Sequence, residues 1–283
     1  MSQRHPGGAH ELGQNFLVDH STISAIENLV AETSGPIVEL AAGDGALTVP
    51  LARPGRPITA VELDPRRARR LRRRTPEHVA VVNEDLLRFP LPWTPHVLVG
   101  NLPFHLTTAV LKRVLDARHW RTAILLVQWE VARRRAGVGG ATMLTAQWWP
   151  WYEFGLRQRV PARSFLPVPS VDGGLLVVTR RERPLVAEGG QYQRFVRDVY
   201  TGRGRGLEEI LFRTGRIHRS ALRQWLHEEQ ISPRALPKEL TATQWASLWR
   251  RVRSTTTAPS RRRPRKPTSS APSGRGGGRG AGR

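Results

Sequence analysis

Gly100-Asn101-Leu102-Pro103-Phe104 sets an amide, a rigid turn and an aromatic ring in succession, after the apolar run His96-Val97-Leu98-Val99 and before the helical pattern Leu106, Val110, Leu111, Val114, Leu115. A buried strand followed by a helix puts such a loop at the carboxyl end of a sheet, where open α/β folds bind ligands. The chemistry it suits is that of an exocyclic base amine. Such a nitrogen is a poor nucleophile because its lone pair is delocalised into the ring. Two acceptors on its N–H bonds, the Asn101 side-chain oxygen and a backbone carbonyl, favour a pyramidal nitrogen, and the Phe104 face would hold the base flat. Neither a general base nor a metal is needed before attack. Pro103 fixes its own φ and biases Leu102 toward an extended conformation, which aims the Leu102 carbonyl at the same place. An Asn-Leu-Pro segment can also do no more than end a strand.

Three further groups turn the loop into a site. In Glu39-Leu40-Ala41-Ala42-Gly43-Asp44-Gly45-Ala46-Leu47-Thr48, Gly43 and Gly45 allow a sharp turn and close approach of backbone to ligand. The segment is not a phosphate cradle, since Thr48 stands where a third glycine would fall and no Gly-Lys-Ser/Thr follows. Glu62 closes the next strand and can accept both hydroxyls of a ribose. Asp85, after the third strand in Asn83-Glu84-Asp85-Leu86, could accept from an adenine amino group. Singly, each is more often a surface carboxylate or a turn. Jointly, at four consecutive strand ends, they describe the site of a neutral or cationic nucleoside cofactor rather than a dinucleotide.

These groups need a sheet to hold them. Strand-like runs fall at Ile37 to Leu40, Ile58 to Leu63, Val79 to Val82, Val97 to Gly100, Ala123 to Val127, Tyr152 to Val160 and Leu175 to Thr179. Helical patterns alternate with the first five, including Pro65 to Arg74, so the fold class is α/β with a seven-stranded, mostly parallel sheet covered on both faces. Pro161, Pro167 and Pro169 interrupt any helix between the last two runs, which predicts an antiparallel pair there. Ahead of the sheet, Ile23, Ile26, Leu29 and Val30 mark a helix that Asp19 or Ser21 can cap. After Pro184, apolar residues recur at helical spacing with arginine on the other faces, giving a small all-α domain. Thr241 with Gln244 offers a capping box for its last helix. The predicted organisation is a flexible start over 1–9, a catalytic domain over 10–183, a helical RNA-binding domain over 184–253, and a disordered basic Arg/Gly/Pro tail over 254–283. Trp148, Trp149 and Trp151 read as core or interface.

Composition names the partner. The net charge is +22, and segments 1–183, 184–253 and 254–283 carry +8, +6 and +8, so the excess is not confined to a tail. Of the 45 basic residues 42 are arginine, the side chain that grips phosphate bidentately and stacks on bases. That favours nucleic acid over an acidic membrane, because no amphipathic anchor is evident. The tract Arg275 to Arg283 could add non-specific RNA affinity, and the run Arg66 to Arg74 either contacts RNA or is a solvated helix face. Cysteine is absent, which removes disulfides and thiol chemistry. The nine histidines are scattered, so no metal is expected. No apolar run could cross a bilayer and no signal peptide is visible, which points to the cytoplasm.

At this point the residues resemble a known family: the adenine-N6 rRNA methyltransferases, above all the Erm subfamily that modifies large-subunit rRNA, and more distantly the small-subunit rRNA dimethyladenosine transferases. The resemblance runs from about Leu12 through Thr179 and rests on Gly13-Gln14-Asn15-Phe16-Leu17, Glu39 to Thr48, Val61-Glu62-Leu63-Asp64, Glu84-Asp85, Asn101-Leu102-Pro103-Phe104 and Phe165-Leu166-Pro167-Val168-Pro169-Ser170-Val171-Asp172. It implies a class I Rossmann-like methyltransferase domain with an S-adenosyl-L-methionine site. Asn15 and Leu17 would lie by the methionine end, Ala41 to Gly45 beneath it, Glu62 on the ribose, Asp85 on the adenine amine and Asn101 beside the methyl. Phe104 and Phe165 would sandwich the target adenine. Ala41 departs from the family's usual first glycine, and Phe104 replaces a common tyrosine, leaving only a ring to act. The implied activity is methylation of N6 of one adenine in 23S rRNA, bare or in an early 50S precursor, by a monomer, with resistance to macrolide, lincosamide and streptogramin B drugs. Rival readings are a 16S rRNA dimethyltransferase and a non-catalytic RNA-binding assembly factor on the same scaffold; a small-molecule methyltransferase fits poorly with the charge.

Overall fold

Residues 15–257 are described by the structure, a computed structural model; the expectations for residues 1–9, for Gly13 and Gln14, and for the tract Arg275 to Arg283 lie outside them. Strand β1 (Phe16–Leu17) is followed by helix α1 (His20–Ala31), where Asp19 is the cap and accepts the Thr22 N–H at 3.0 Å. Then come β2 (Ile37–Leu40), α2 (Thr48–Ala52), β3 (Ile58–Glu62), α3 (Pro65–Arg72), β4 (Val79–Asn83), β5 (His96–Asn101), α4 (Thr107–Asp116) and β6 (Trp120–Gln128). Two short helices, α5 (Trp129–Arg135) and α6 (Met143–Trp148), lead to β7 (Tyr152–Val160), β8 (Phe165–Leu166) and β9 (Gly173–Arg180).

The main sheet has seven strands in the order β4-β3-β2-β5-β6-β9-β7. Strands β4, β3, β2, β5 and β6 are parallel to one another, and β9 is antiparallel to both β6 and β7. The seven runs read from the sequence are these seven strands, and the proline-rich stretch indeed makes the last pair antiparallel. Central strands are buried on both faces, which is why they read as continuous apolar runs. One face packs Ile26 and Val30 of α1 with Leu71 of α3, and the other packs Val110, Leu111, Val114 and Leu115 of α4. At α3, Asp64 accepts the Arg66 N–H at 2.7 Å and Pro65 supplies a preset φ at the first turn.

Sequence patterning gave no sign of β1, β8, α5 or α6. The first two pair antiparallel as a separate ribbon, Phe16 opposite Leu166 and Leu17 opposite Phe165, and two-residue strands are too short to show a period.

Beyond Pro184 lie α7 (Gly189–Thr201), α8 (Leu207–Arg213), α9 (Arg219–Glu228) and α10 (Ala242–Thr257). Thr241 and Gln244 cap α10 reciprocally: Gln244 Oε1 accepts the Thr241 N–H at 2.9 Å and Thr241 Oγ1 accepts the Gln244 N–H at 3.2 Å. The helix runs to Thr257, so the first four residues expected to belong to the tail, 254–257, are helical. The core of these helices also takes in Ala146 and packs against Trp149 and Trp151. A chain of ring contacts therefore passes from the sheet into the helices: Trp120 stacks on Tyr152 at 4.9 Å, Tyr152 meets Trp148, Trp148 meets Trp151, and Trp151 meets Tyr192 at 5.7 Å. From Tyr192 it continues through Trp249, Phe195 and Trp245 to Tyr200. Among the described residues no helix is long and apolar enough to cross a membrane.

Candidate active site

Four neighbouring strand ends supply the site. Across the sheet, in the spatial order β4, β3, β2, β5, they carry Asp85, Glu62, the Ala41 to Gly45 turn and Asn101. At about 4.8 Å per strand this row spans ~14 Å, and it straddles the gap between β2 and β5 where the strand order reverses. One cleft is lined by Ala41, Glu62, Leu63, Asp85, Pro103 and Leu106 among others, and among the described residues no lysine or arginine lines it.

Glu62 is 3% exposed, and both its oxygens are engaged: Oε2 accepts the Gly43 N–H at 2.7 Å and Oε1 the Asp64 N–H at 2.8 Å. Each oxygen keeps a second lone pair for a ligand. Asn83 Nδ2 anchors the same strand end, donating to the Glu62 and Leu63 carbonyls at 2.9 and 2.8 Å. Asp85 Oδ1 accepts the Leu87 N–H at 2.8 Å, so the carboxylate is oriented by its own turn.

In the turn, Gly43 and Gly45 have φ of +58° and +88°, and Ala41 adopts +59° despite its Cβ. The two glycines do different things. Gly43 lies under the Phe16 ring, where an added Cβ would come within 3.3 Å, whereas Gly45 faces α3, where a Cβ would sit 2.5 Å from Leu71 Cδ1. Gly45 therefore leaves no room for a side chain against α3. The Arg67 guanidinium lies over the Phe16 ring, 4.2 Å from its centroid, and is ion-paired to Asp44. Phe16 is thus clamped over the turn, a contact whose signal in the sequence was only the adjacency of Phe16 to Asn15.

Asn101 Nδ2 donates to the Asn15 carbonyl at 2.8 Å. A carbonyl can only accept, so the amide orientation is fixed and Oδ1 is the atom left for a substrate N–H. The Leu102 N–H is used by the Leu126 carbonyl at 3.0 Å. Leu17, by contrast, buries its side chain in the core and pairs its backbone with Phe165. Phe104 and Phe165 were expected to sandwich the target adenine; instead they meet each other edge to face, with centroids 5.8 Å apart and planes at 73°. No base fits between rings so arranged, and Phe165 is 1% exposed, packed against Gly173. The half-buried Phe104 is the ring with a face to offer; Phe165 backs it.

Glu39, in the motif but assigned no role from the sequence, is buried beneath the turn. Its Oε2 accepts the Thr48 hydroxyl at 2.6 Å, and burial, reinforced by the neighbouring Glu62 charge, pushes its carboxyl up to about 8. The arginine run of α3 is largely spent on structure: Arg67 and Arg70 pair with Asp44, and Arg72 and Arg74 donate to the Val81 and Asp44 carbonyls.

A seven-stranded sheet with an antiparallel β9 and a nucleoside-shaped row of acceptors at its carboxyl edge defines a Rossmann-like methyltransferase. The sequence model for "Ribosomal RNA adenine dimethylase" matches residues 8–253. Mycinamicin-resistance protein MyrB of Micromonospora griseorubida is 54% identical over 256 residues, covering 89% of this chain and 82% of that one. An rRNA adenine N-6-methyltransferase of Corynebacterium diphtheriae is 53% identical over 214 residues, covering 75% and 85%. The crystal structure of the 23S rRNA methyltransferase ErmE superposes with a TM-score of 0.78 at 33% identity, covering 84% of this chain and all of that one. The chain belongs to the ribosomal RNA adenine dimethylase family and is an rRNA adenine N6-methyltransferase.

Proposed function

We propose that the protein transfers a methyl group from S-adenosyl-L-methionine to N6 of one unstacked adenine in 23S rRNA, and so confers resistance to macrolide, lincosamide and streptogramin B drugs. The observation that carries this is the row Asp85, Glu62, turn, Asn101, whose spatial order follows the order of groups along the cofactor: adenine, ribose, methionine, methyl. The residues fit that molecule, with carboxylate acceptors where a nucleoside has donors and, among the described residues, no arginine or lysine lining the cleft to oppose a sulfonium cation. Relatives above half identity, one of them named for mycinamicin resistance, support the large-subunit target.

When bound, the cofactor supplies an electrophilic methyl. Glu62 accepts the ribose hydroxyls, Asp85 the adenine amine, and the backbone of Asn15, Leu17, Ala41 and Gly43 borders the methionine end, with Gly45 setting the turn. Asn101 Oδ1 and the Leu102 carbonyl accept the two N6–H bonds of the target adenine and direct its lone pair toward the methyl. The Phe104 face carries the base and stabilises positive charge on N6 until its proton leaves to solvent. No step needs a titrating side chain. The enzyme acts as a monomer in the cytoplasm, on free 23S rRNA or an early 50S precursor.

Asn101→Ala is expected to abolish methyl transfer to a 23S rRNA hairpin while calorimetry still detects cofactor binding. Radiolabelled cofactor incubated with total rRNA locates the product: label in 23S rRNA is the expected result. Methylation of 16S rRNA within a pre-ribosomal particle, or of no rRNA, overturns the reading.

A further inference from the structure

We infer that the pocket formed by Trp129 and Arg159, beside the methyl-transfer cleft, holds a second unstacked base of the RNA, adjacent in the strand to the target adenine; this rests on the function proposed above. Asn101 lies beside Leu126 in register, so Trp129, three residues on, stands about 10 Å further out past the carboxyl edge of the sheet. Gln128 pairs with Gly173, the residue that Phe165 packs against, so the pocket adjoins the Phe104 and Phe165 pair. Its lining includes Gln128, Trp129, Arg159, Ser170 and Asp172.

The Arg159 guanidinium lies 5.4 Å from the centroid of the Trp129 ring. Asp172 fixes it, accepting from Arg159 Nε at 2.6 Å while its other oxygen accepts the Ala162 N–H at 2.8 Å. Those donors, the Ala162 amide first, hold the Asp172 carboxyl below the usual carboxylate range, so it stays charged. At that spacing nothing enters between the two planes: Trp129 backs the guanidinium, and the 61% exposed Arg159 offers its outer face as the stacking plane for a base. Glu130 joins Asp172 in the wall, and pairing to Arg133 and Arg159 leaves the pocket no surplus positive charge for a phosphate, so the base enters rather than the backbone. Gln128 and Ser170 present donors and acceptors to its edge.

The test uses the full chain, cofactor, and a 23S rRNA hairpin in which nucleotides flanking the target adenine are replaced one at a time by abasic sites. One such site is expected to lower kcat/KM of the wild type by about 10- to 100-fold. Trp129→Ala should lose a similar factor on the intact hairpin with unchanged cofactor affinity, Trp129→Phe should retain most activity, and the protein and RNA losses should not add. Fully multiplicative losses, an undiminished Trp129→Ala, or indifference to every flanking abasic site overturns the inference. The abasic series decides it even should Trp129→Ala fail to fold. A wild type that leaves the intact hairpin unmethylated overturns both this inference and the proposed function.

Discussion

Ala41 occupies a left-handed conformation, φ +59°, that glycine adopts without strain. The Cβ penalty there is about 1–2 kcal/mol, partly offset by the greater freedom glycine has in the unfolded chain. Ala41→Gly should therefore raise stability by about 0.5–1 kcal/mol, seen as a melting temperature higher by ~2–4 °C; an unchanged or lower value would mean the strain is relieved elsewhere. Glu39 carries a pH-dependent prediction. Its folded-state pKa of about 8 lies above the ordinary 4.5, so between those values the folded protein holds a proton that the unfolded chain releases. The associated stability is full below pH 4.5 and is lost as pH rises through about 8. Glu39→Gln keeps an acceptor for Thr48 and cannot ionise, so relative to it the wild type should lose several degrees of melting temperature across that window. At this scale the sequence was legible where chemistry needs a particular side chain: Asn101, Glu62 and Asp85 all stand at the strand ends expected. It was not legible for Glu39, whose behaviour comes from burial beneath the turn, nor for Phe165, whose burial depends on the glycine opposite it.

Among the elements, the ribbon of β1 and β8 links the first described residues to the segment that backs Phe104, and the Phe16 clamp presses it onto the turn. Arg67 holds that clamp, stacking on Phe16 and pairing with Asp44. An exposed ion pair alone contributes little, but a cation–π contact at a partly buried site adds about 1 kcal/mol. Arg67→Ala should weaken cofactor affinity by about 5-fold by titration calorimetry, with no change in Asn101 chemistry at saturating cofactor; full affinity would show that the turn holds its shape unaided. The alternation of apolar runs was enough to read the seven strands because periodicity survives without tertiary context. Strands of two residues and the arginine-rich α5 have no period to read, and only partners distant in sequence create them.

For the whole molecule, the +22 charge governs how RNA is met rather than where it is cut into register. Binding of a 23S hairpin should weaken by about 10³-fold between 50 and 200 mM salt if six or so phosphates are neutralised, measured by filter binding with cofactor present. Much less would place the arginines in structural roles, as already seen for Arg67, Arg72 and Arg74. The aromatic chain from Trp120 to Tyr200 has a mechanical meaning. Cutting between residues 183 and 184 would strip the helices of the Trp149 and Trp151 surfaces that close their core. Heat should consequently melt both parts in one transition, and for an RNA hairpin docked across them the two walls would be braced against each other, leaving the nucleic acid to bend to present its adenine.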